Sequence, residues 1–293
     1  MDLLLQLLAN GLVNGALFAL LAVAFGLVYR SLRVFHVAFA GLFLIPPYAA
    51  YLANVWLSAP IWLAVILGVA AGAVSGYLIE LVLYRPFFRR NVSGGAVIVA
   101  SLGAFIIIEN LLAMGFGSEL KTMGRELAKR FVLGPVSLTN IQIIQFLVAT
   151  AALAVVSVIL KKIRMFKIIW AMGDEPGLAP VLGLPLMGYR ALVFSFSAGL
   201  AGLAGGLIVV DVGVDPHMGL SYLLVAAVAV LAGGIDRFRG WVLGGVSLAL
   251  LQSLMVWQFS AQWMDLVTFS VLIGILLFRP QGMLGLRKRL EEE

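Results

Sequence analysis

Apolar runs of close to twenty residues recur from one end of this 293-residue sequence to the other, and that recurrence leaves few folds open. A helix rises about 1.5 Å per residue, so about 20 residues cross the ~30 Å of hydrocarbon in a bilayer. Runs of this kind cover roughly 3–28, 34–57, 60–84, 95–116, 140–160, 187–210, 221–235, 240–258 and 265–279. Hydrophobic residues make up 62% of the chain and charged residues 12%, about half the charged share of a soluble domain. The expected fold class is all-α: one polytopic transmembrane bundle over 1–293 with eight to ten spans, nine by this count, some short or broken. Pro46-Pro47 is expected to break the second span, since each proline removes a backbone donor.

The basic residues orient the bundle. Arg30, Arg33, Arg85, Arg89, Arg90, Lys161, Lys162, Arg164, Lys167, Arg190, Arg237, Arg239, Arg279, Arg287, Lys288 and Arg289 fall in one set of connections. Sixteen of the 20 Lys+Arg therefore share one side, which the positive-inside rule makes cytoplasmic. The N-terminus is then expected outside and the C-terminus inside. With no basic residue before Arg30, no cleaved signal peptide is expected. The net charge of +6 reads as this topology signal rather than as a nucleic-acid surface. The polar 117–139 loop, with Gly134-Pro135 as a turn, is expected as a small external element, and 161–186 as the largest cytoplasmic insertion. Tyr84-Arg85-Pro86 and Phe278-Arg279-Pro280 echo each other, which leaves duplicated halves open.

Several chemistries are excluded. Zero Cys and two His argue against thiol catalysis, iron–sulfur clusters and multi-histidine metal sites, and no catalytic or metal residues are assigned. There is no P-loop, HExxH or GxSxG, so the chain hydrolyses no ATP itself. Solute moves passively, by ion coupling, or with energy from a partner.

WAMGDEPGLAPVLGLPL (170–186) carries the most information. Asp174 and Glu175 before Pro176 suit a helix start, and Gly183 then Leu184-Pro185 an end. The bland reading is an interfacial connector; the sharper one is a short rigid knob for a partner's groove. The segment resembles the cytoplasmic coupling loop of the branched-chain amino acid permeases of ABC importers through Ala171, Glu175-Pro176, Ala179 and Leu182-Gly183-Leu184. LYRPFF (83–88), SLGAFIIIENLLAMGFGSE (101–119), AVAVLAGGIDRFRGWVLGG (227–245) and ILLFRPQGMLG (275–285) resemble further motifs of that family, in order.

The resemblance implies a permease subunit of a bacterial or archaeal inner membrane, forming half of a pathway for branched-chain or other small amino acids, or a related urea, amide or carboxylate. Its partners are a second homologous permease (or a second copy), two cytoplasmic ATP-binding subunits that hydrolyse the ATP, and an external solute-binding protein. This chain itself binds no cofactor. Ala171, Asp174, Glu175, Pro176, Ala179, Leu182, Gly183 and Leu184 would couple to the ATPases. The pathway candidates are Asn14, His36, Phe39, Tyr48, Ser101, Glu109 and Asn110, each of which also reads as ordinary helix packing. Where the family has a histidine and a glutamate after the first span, this chain has Phe39 and Gly41, which puts the family's usual substrate in doubt; Trp170 stands in place of an arginine. Glu80 is expected to pair with Arg85, His217 to shape an external loop, and GLAGLAGG (199–206) and 240–245 to pack helices closely. A stand-alone channel or ion-coupled carrier is the alternative; its mark would be paired charges inside the membrane.

Overall fold

The computed structural model describes residues 2–90, 92–123, 129–163, 168, 186–279 and 282–284. Among the described residues, nine apolar helices of 15 or more residues follow the expected spans closely. They begin with α1 (Asp2–Leu32), α2 (Phe39–Val55) and α3 (Ile61–Ile79). From α3 the rod continues through a π-helical turn (Glu80–Tyr84) into the short α4 (Arg85–Arg89). Next come α5 (Gly94–Phe116), a hairpin of β1 (Arg130–Leu133) and β2 (Val136–Thr139), and α6 (Asn140–Lys162). The last four are α7 (Leu186–Asp211), α8 (Gly219–Gly233), α9 (Phe238–Gln258) and α10 (Met264–Phe278). Seven of these stretches are long and apolar enough to cross a membrane, whereas α2 and α8, with 17 and 15 residues, are shorter. The connectors 33–38 and 212–218 precede the two short helices, at opposite ends of the bundle.

The helix contacts repeat in two halves. Among the described residues, α1 against α9 and α3 against α7 are the two most extensive pairings. The α2–α3 contact has its counterpart in α8–α9, α2–α7 in α1–α8, and α2–α5 in α8–α10. This matches α1, α2, α3 and α5 to α7, α8, α9 and α10. Ser197 of α7 donates to the Ala24 carbonyl of α1, while Asn14 and Asp211 share a cavity nearer the other end, so the matched helices α1 and α7 run in opposite directions. The halves are inverted copies. Tyr84-Arg85-Pro86 joins the π turn to α4 and Phe278-Arg279 closes α10; the α3–α4 rod and α10 are not counterparts, so the sequence echo does not mark the repeat.

Pro46 and Pro47 do not break α2, which runs unbroken through both. The neighbouring helices supply the reason. A side chain at Gly72, Gly202 or Gly205 would press on the two proline rings, and one at Gly68 on the Pro46 carbonyl. Glycine at these positions lets α3 and α7 close around the proline turn, so packing holds what propensity alone would break. The small-residue runs pack as their spacing suggests: Gly206 lies against Val65, and a methyl on Gly244 would overlap the Ala229 carbonyl.

Within 117–139, Gly134 (φ 63°) and Pro135 form the two-residue turn of an antiparallel hairpin, a small β element in an otherwise helical bundle. Thr139 then starts α6 with a capping box, accepting from the Gln142 N–H while Gln142 accepts from the Thr139 N–H, both at 3.1 Å. Gln6 of α1 fixes the hairpin by accepting from Ser137 N–H at 2.6 Å. The basic residues Arg30, Arg33, Arg85, Arg190 and Arg237 gather at the other end, which we call the basic end. Residues 169–185, with the whole coupling motif from Ala171 to Leu184, lie outside the described residues.

Candidate permeation and coupling site

The basic end is tied together by the α1–α2 connector. His36 is fully buried, with ring contacts to Phe39, Tyr84 and Phe194, and its Nδ1 bonds the Tyr84 hydroxyl. The connector lies between the two spans, and burial pushes the imidazole down to about 3, which keeps it neutral. Ser101 of α5 accepts from Val37 N–H at 3.2 Å and donates to the Ile98 carbonyl at 2.8 Å. Three of the sequence-derived pathway residues, His36, Phe39 and Ser101, therefore meet around one connector.

Two ion pairs bind the halves together here. Arg30 at the end of α1 meets Asp236, between α8 and α9, at 2.6 Å. Glu80, in the π-helical turn, pairs with Arg190 of α7 at 3.2 Å, with both side chains almost fully buried. Phe88 covers the Arg190 guanidinium at 3.5 Å. The expected Glu80–Arg85 pair is thus replaced: a π turn alters the spacing along the rod, and α7 brings a better-buried cation to the carboxylate. Arg190 also stands in the first turns of the helix that leaves the 169–185 segment.

The other candidates lie elsewhere. Asn14 opens into a cavity of about 190 Å³ toward the hairpin end, shared with Gln145, Asp211, Tyr222, Gln252 and Ser253. Gln145 donates to the Leu207 carbonyl at 2.7 Å and Gln252 to the Thr268 hydroxyl at 2.8 Å. These polar groups were missed, although a glutamine inside an apolar span is a readable signal. Tyr48 is buried with its ring 4.6 Å from that of Phe116. Glu109 of α5 meets His217 of the 212–218 connector at 2.8 Å, and the His217 N–H bonds Asp215. Asn110 is exposed and, among the described residues, bonds only the Ile106 carbonyl of its own helix. The seven candidates therefore do not form one site within the chain. One group surrounds His36, Asn14 and Tyr48 stand apart, and Glu109 and Asn110 lie on α5.

That outer face carries chemical weight. The membrane windows of α5 and of its counterpart α10 are each only 11% buried. A carboxamide exposed on that face leaves part of its hydrogen-bonding capacity unused among the described residues.

The comparisons agree with this architecture. The chain is 29% identical to the high-affinity branched-chain amino acid transport system permease protein BraD of Pseudomonas aeruginosa, over 96% of this chain and 95% of that one. Against the corresponding permease protein LivH of Escherichia coli K12 the identity is 27%, with the same coverage. The autoinducer 2 import system permease protein LsrC of Salmonella paratyphi B is 27% identical over 78% of this chain and 64% of its own. Among solved structures, a chain of PsaBC from Streptococcus pneumoniae, in complex with a Fab, superposes with a TM-score of 0.53 at 14% identity, covering 93% of this chain and 91% of that one, a likeness of fold alone. The family model described as "Branched-chain amino acid transport system / permease component" matches residues 7–277, and the chain belongs to that family of membrane permeases.

Proposed function

We propose that this chain forms half of the transmembrane pathway of an ATP-driven importer, with a second permease, homologous or identical, supplying the other half. Asn110 carries the reading. It is a polar side chain on the outer face of an apolar helix, and a second permease against α5 and α10 gives it a wet or hydrogen-bonding neighbour. Branched-chain or other small amino acids are the first substrate class to test, on the strength of the BraD and LivH likeness. Urea, amides and small carboxylates stay in the test because Phe39 and Gly41 change the polarity next to the His36 connector. A secreted solute-binding protein docks at the hairpin end, and Glu109, His217 and Asp215 lie in its reach.

The basic end faces the cytoplasm on the positive-inside rule, placing the N-terminus outside and the C-terminus inside. Both α6 and α7 reach this end, so the 163–185 link between them starts and finishes where an ATPase would dock. The two ATP-binding subunits hydrolyse the ATP, and the Ala171–Leu184 segment receives the stroke. Glu109 is engaged by His217 of a connector, and the buried Glu80–Arg190 pair ties the two halves together at the basic end, which favours a structural use of these charges over ion coupling.

Reconstitution tests the proposal. Vesicles holding this chain, its second permease, both ATPases and the binding protein are expected to accumulate labelled leucine or a competing solute only with ATP. Glu175→Trp and Gly183→Trp should abolish solute-stimulated ATP hydrolysis while leaving insertion intact. Uptake by this chain without any ATPase would overturn the reading.

A further inference from the structure

The arginines of the basic end fall into two kinds. Arg30 and Arg33 share Asp236, and Arg190 holds Glu80. Arg85, Arg89 and Arg90, around the short α4, form no ion pair with a carboxylate among the described residues. Together with Leu81 and Pro86 they line an open pocket of about 480 Å³. Among the described residues the buried Nε of Arg85 has no hydrogen-bond partner, while Arg89 and Arg90 are exposed.

The surroundings define what such a pocket takes. Leu81, Val82 and Phe88 expose apolar surface beside it, and the ridge continues along α3 through Leu78 and Val74. That ridge belongs to a membrane span only 22% buried within the chain. A ligand bridging pocket and ridge has a compact anionic head and a long apolar body. Guanidinium groups bind phosphate oxygens in paired hydrogen bonds and keep their charge at any physiological pH. Basic clusters at the water end of a span are where anionic headgroups gather.

We propose that Arg85, Arg89 and Arg90 form a binding site for the phosphate headgroup of an anionic phospholipid, whose acyl chains lie along the exposed α3 ridge. The site fixes the rod of α3 and α4 against the leaflet at the point where Glu80 grips α7. It rests on the chain being a membrane protein and not on the importer reading, so failure of ATP-driven uptake leaves it standing.

The test uses the full-length protein in phosphatidylcholine nanodiscs doped with phosphatidylglycerol, with retained lipid counted by native mass spectrometry. Retention of phosphatidylglycerol over phosphatidylcholine is expected, with at least a tenfold loss of that preference in R85Q/R89Q/R90Q and little change in K161Q/K162Q. Should the triple variant fail to insert, the exposed-residue variants R89Q and R90Q are each expected to weaken retention severalfold. Unchanged retention in these variants would overturn the proposal, as would an equal loss in the lysine variant, which would mean diffuse surface charge. Displacement of the lipid by inorganic phosphate at about 10 mM would assign the pocket to a soluble anion and also overturn it.

Discussion

Replacing Arg190 with methionine removes the cation that faces Glu80 and leaves a carboxylate with 1% of its surface exposed. At the 3.2 Å separation of this pair, Coulomb's law with an effective dielectric near 20 gives an attraction of about 5 kcal/mol. Much of that attraction offsets the desolvation of the two charges, so it is not the net worth of the pair. Breaking one partner exposes the imbalance, and such losses run to about 3–5 kcal/mol. Converting both partners to apolar residues of similar length removes both desolvation terms and should come within about 1 kcal/mol of the parent. The expected order of stability is therefore parent and E80M/R190M together, with R190M and E80M well below. The assay is the midpoint of unfolding in mixed detergent titrations, followed by tryptophan fluorescence and checked by size-exclusion profile. A double variant as unstable as R190M, or an R190M indistinguishable from the parent, would refute the assignment of a buried inter-half pair.

Gly244→Val drives a side chain into the Ala229 carbonyl and should cost about 3 kcal/mol or more, read as loss of the monodisperse peak, whereas Gly274→Ala, with open space around it, should be neutral. Ser101→Ala strips the acceptor from the buried Val37 N–H and should lower stability by about 1–3 kcal/mol without altering oligomeric state. His36 stays neutral when folded yet protonates near pH 6.5 when unfolded, so the unfolded chain binds the extra proton. Stability should then fall by up to about 1.4 kcal/mol per pH unit below that value, and His36→Gln should flatten the slope in denaturation midpoints taken from pH 7 to 5. Glu109→Gln breaks a pair whose histidine is 62% exposed and should change stability by less than about 1 kcal/mol, an effect that 0.5 M salt erases.

The spans were legible because a bilayer imposes one length and one polarity on every crossing, and hydropathy records both. The hairpin turn was equally plain in Gly134-Pro135. Failures arose wherever a residue's fate depends on a distant helix. Pro46-Pro47 reads as a break until Gly72, Gly202 and Gly205 are known to stand opposite. Glu80 reads as Arg85's partner because sequence spacing cannot display Arg190, which lies 110 residues away. The inverted duplication left no readable echo, since inverted copies share contacts rather than cytoplasmic motifs. Of the pathway candidates, His36, Phe39 and Ser101 converge. Gln145 and Gln252 gain their meaning only from the Leu207 carbonyl and the Thr268 hydroxyl on other helices, which spacing along their own spans cannot display.

Inverted halves have a consequence for direction. Turn such a bundle upside down and its principal helix pairings are nearly restored, so the repeated framework by itself has no preferred sense of travel. Vectorial import must therefore be written into what is not repeated. In this chain that is the π turn with α4 and the stretch from the hairpin through α6 to the start of α7, with the one-sided distribution of arginine and lysine. Grafting or trimming within that stretch, rather than within the repeated helices, is where a one-way machine would become a reversible one.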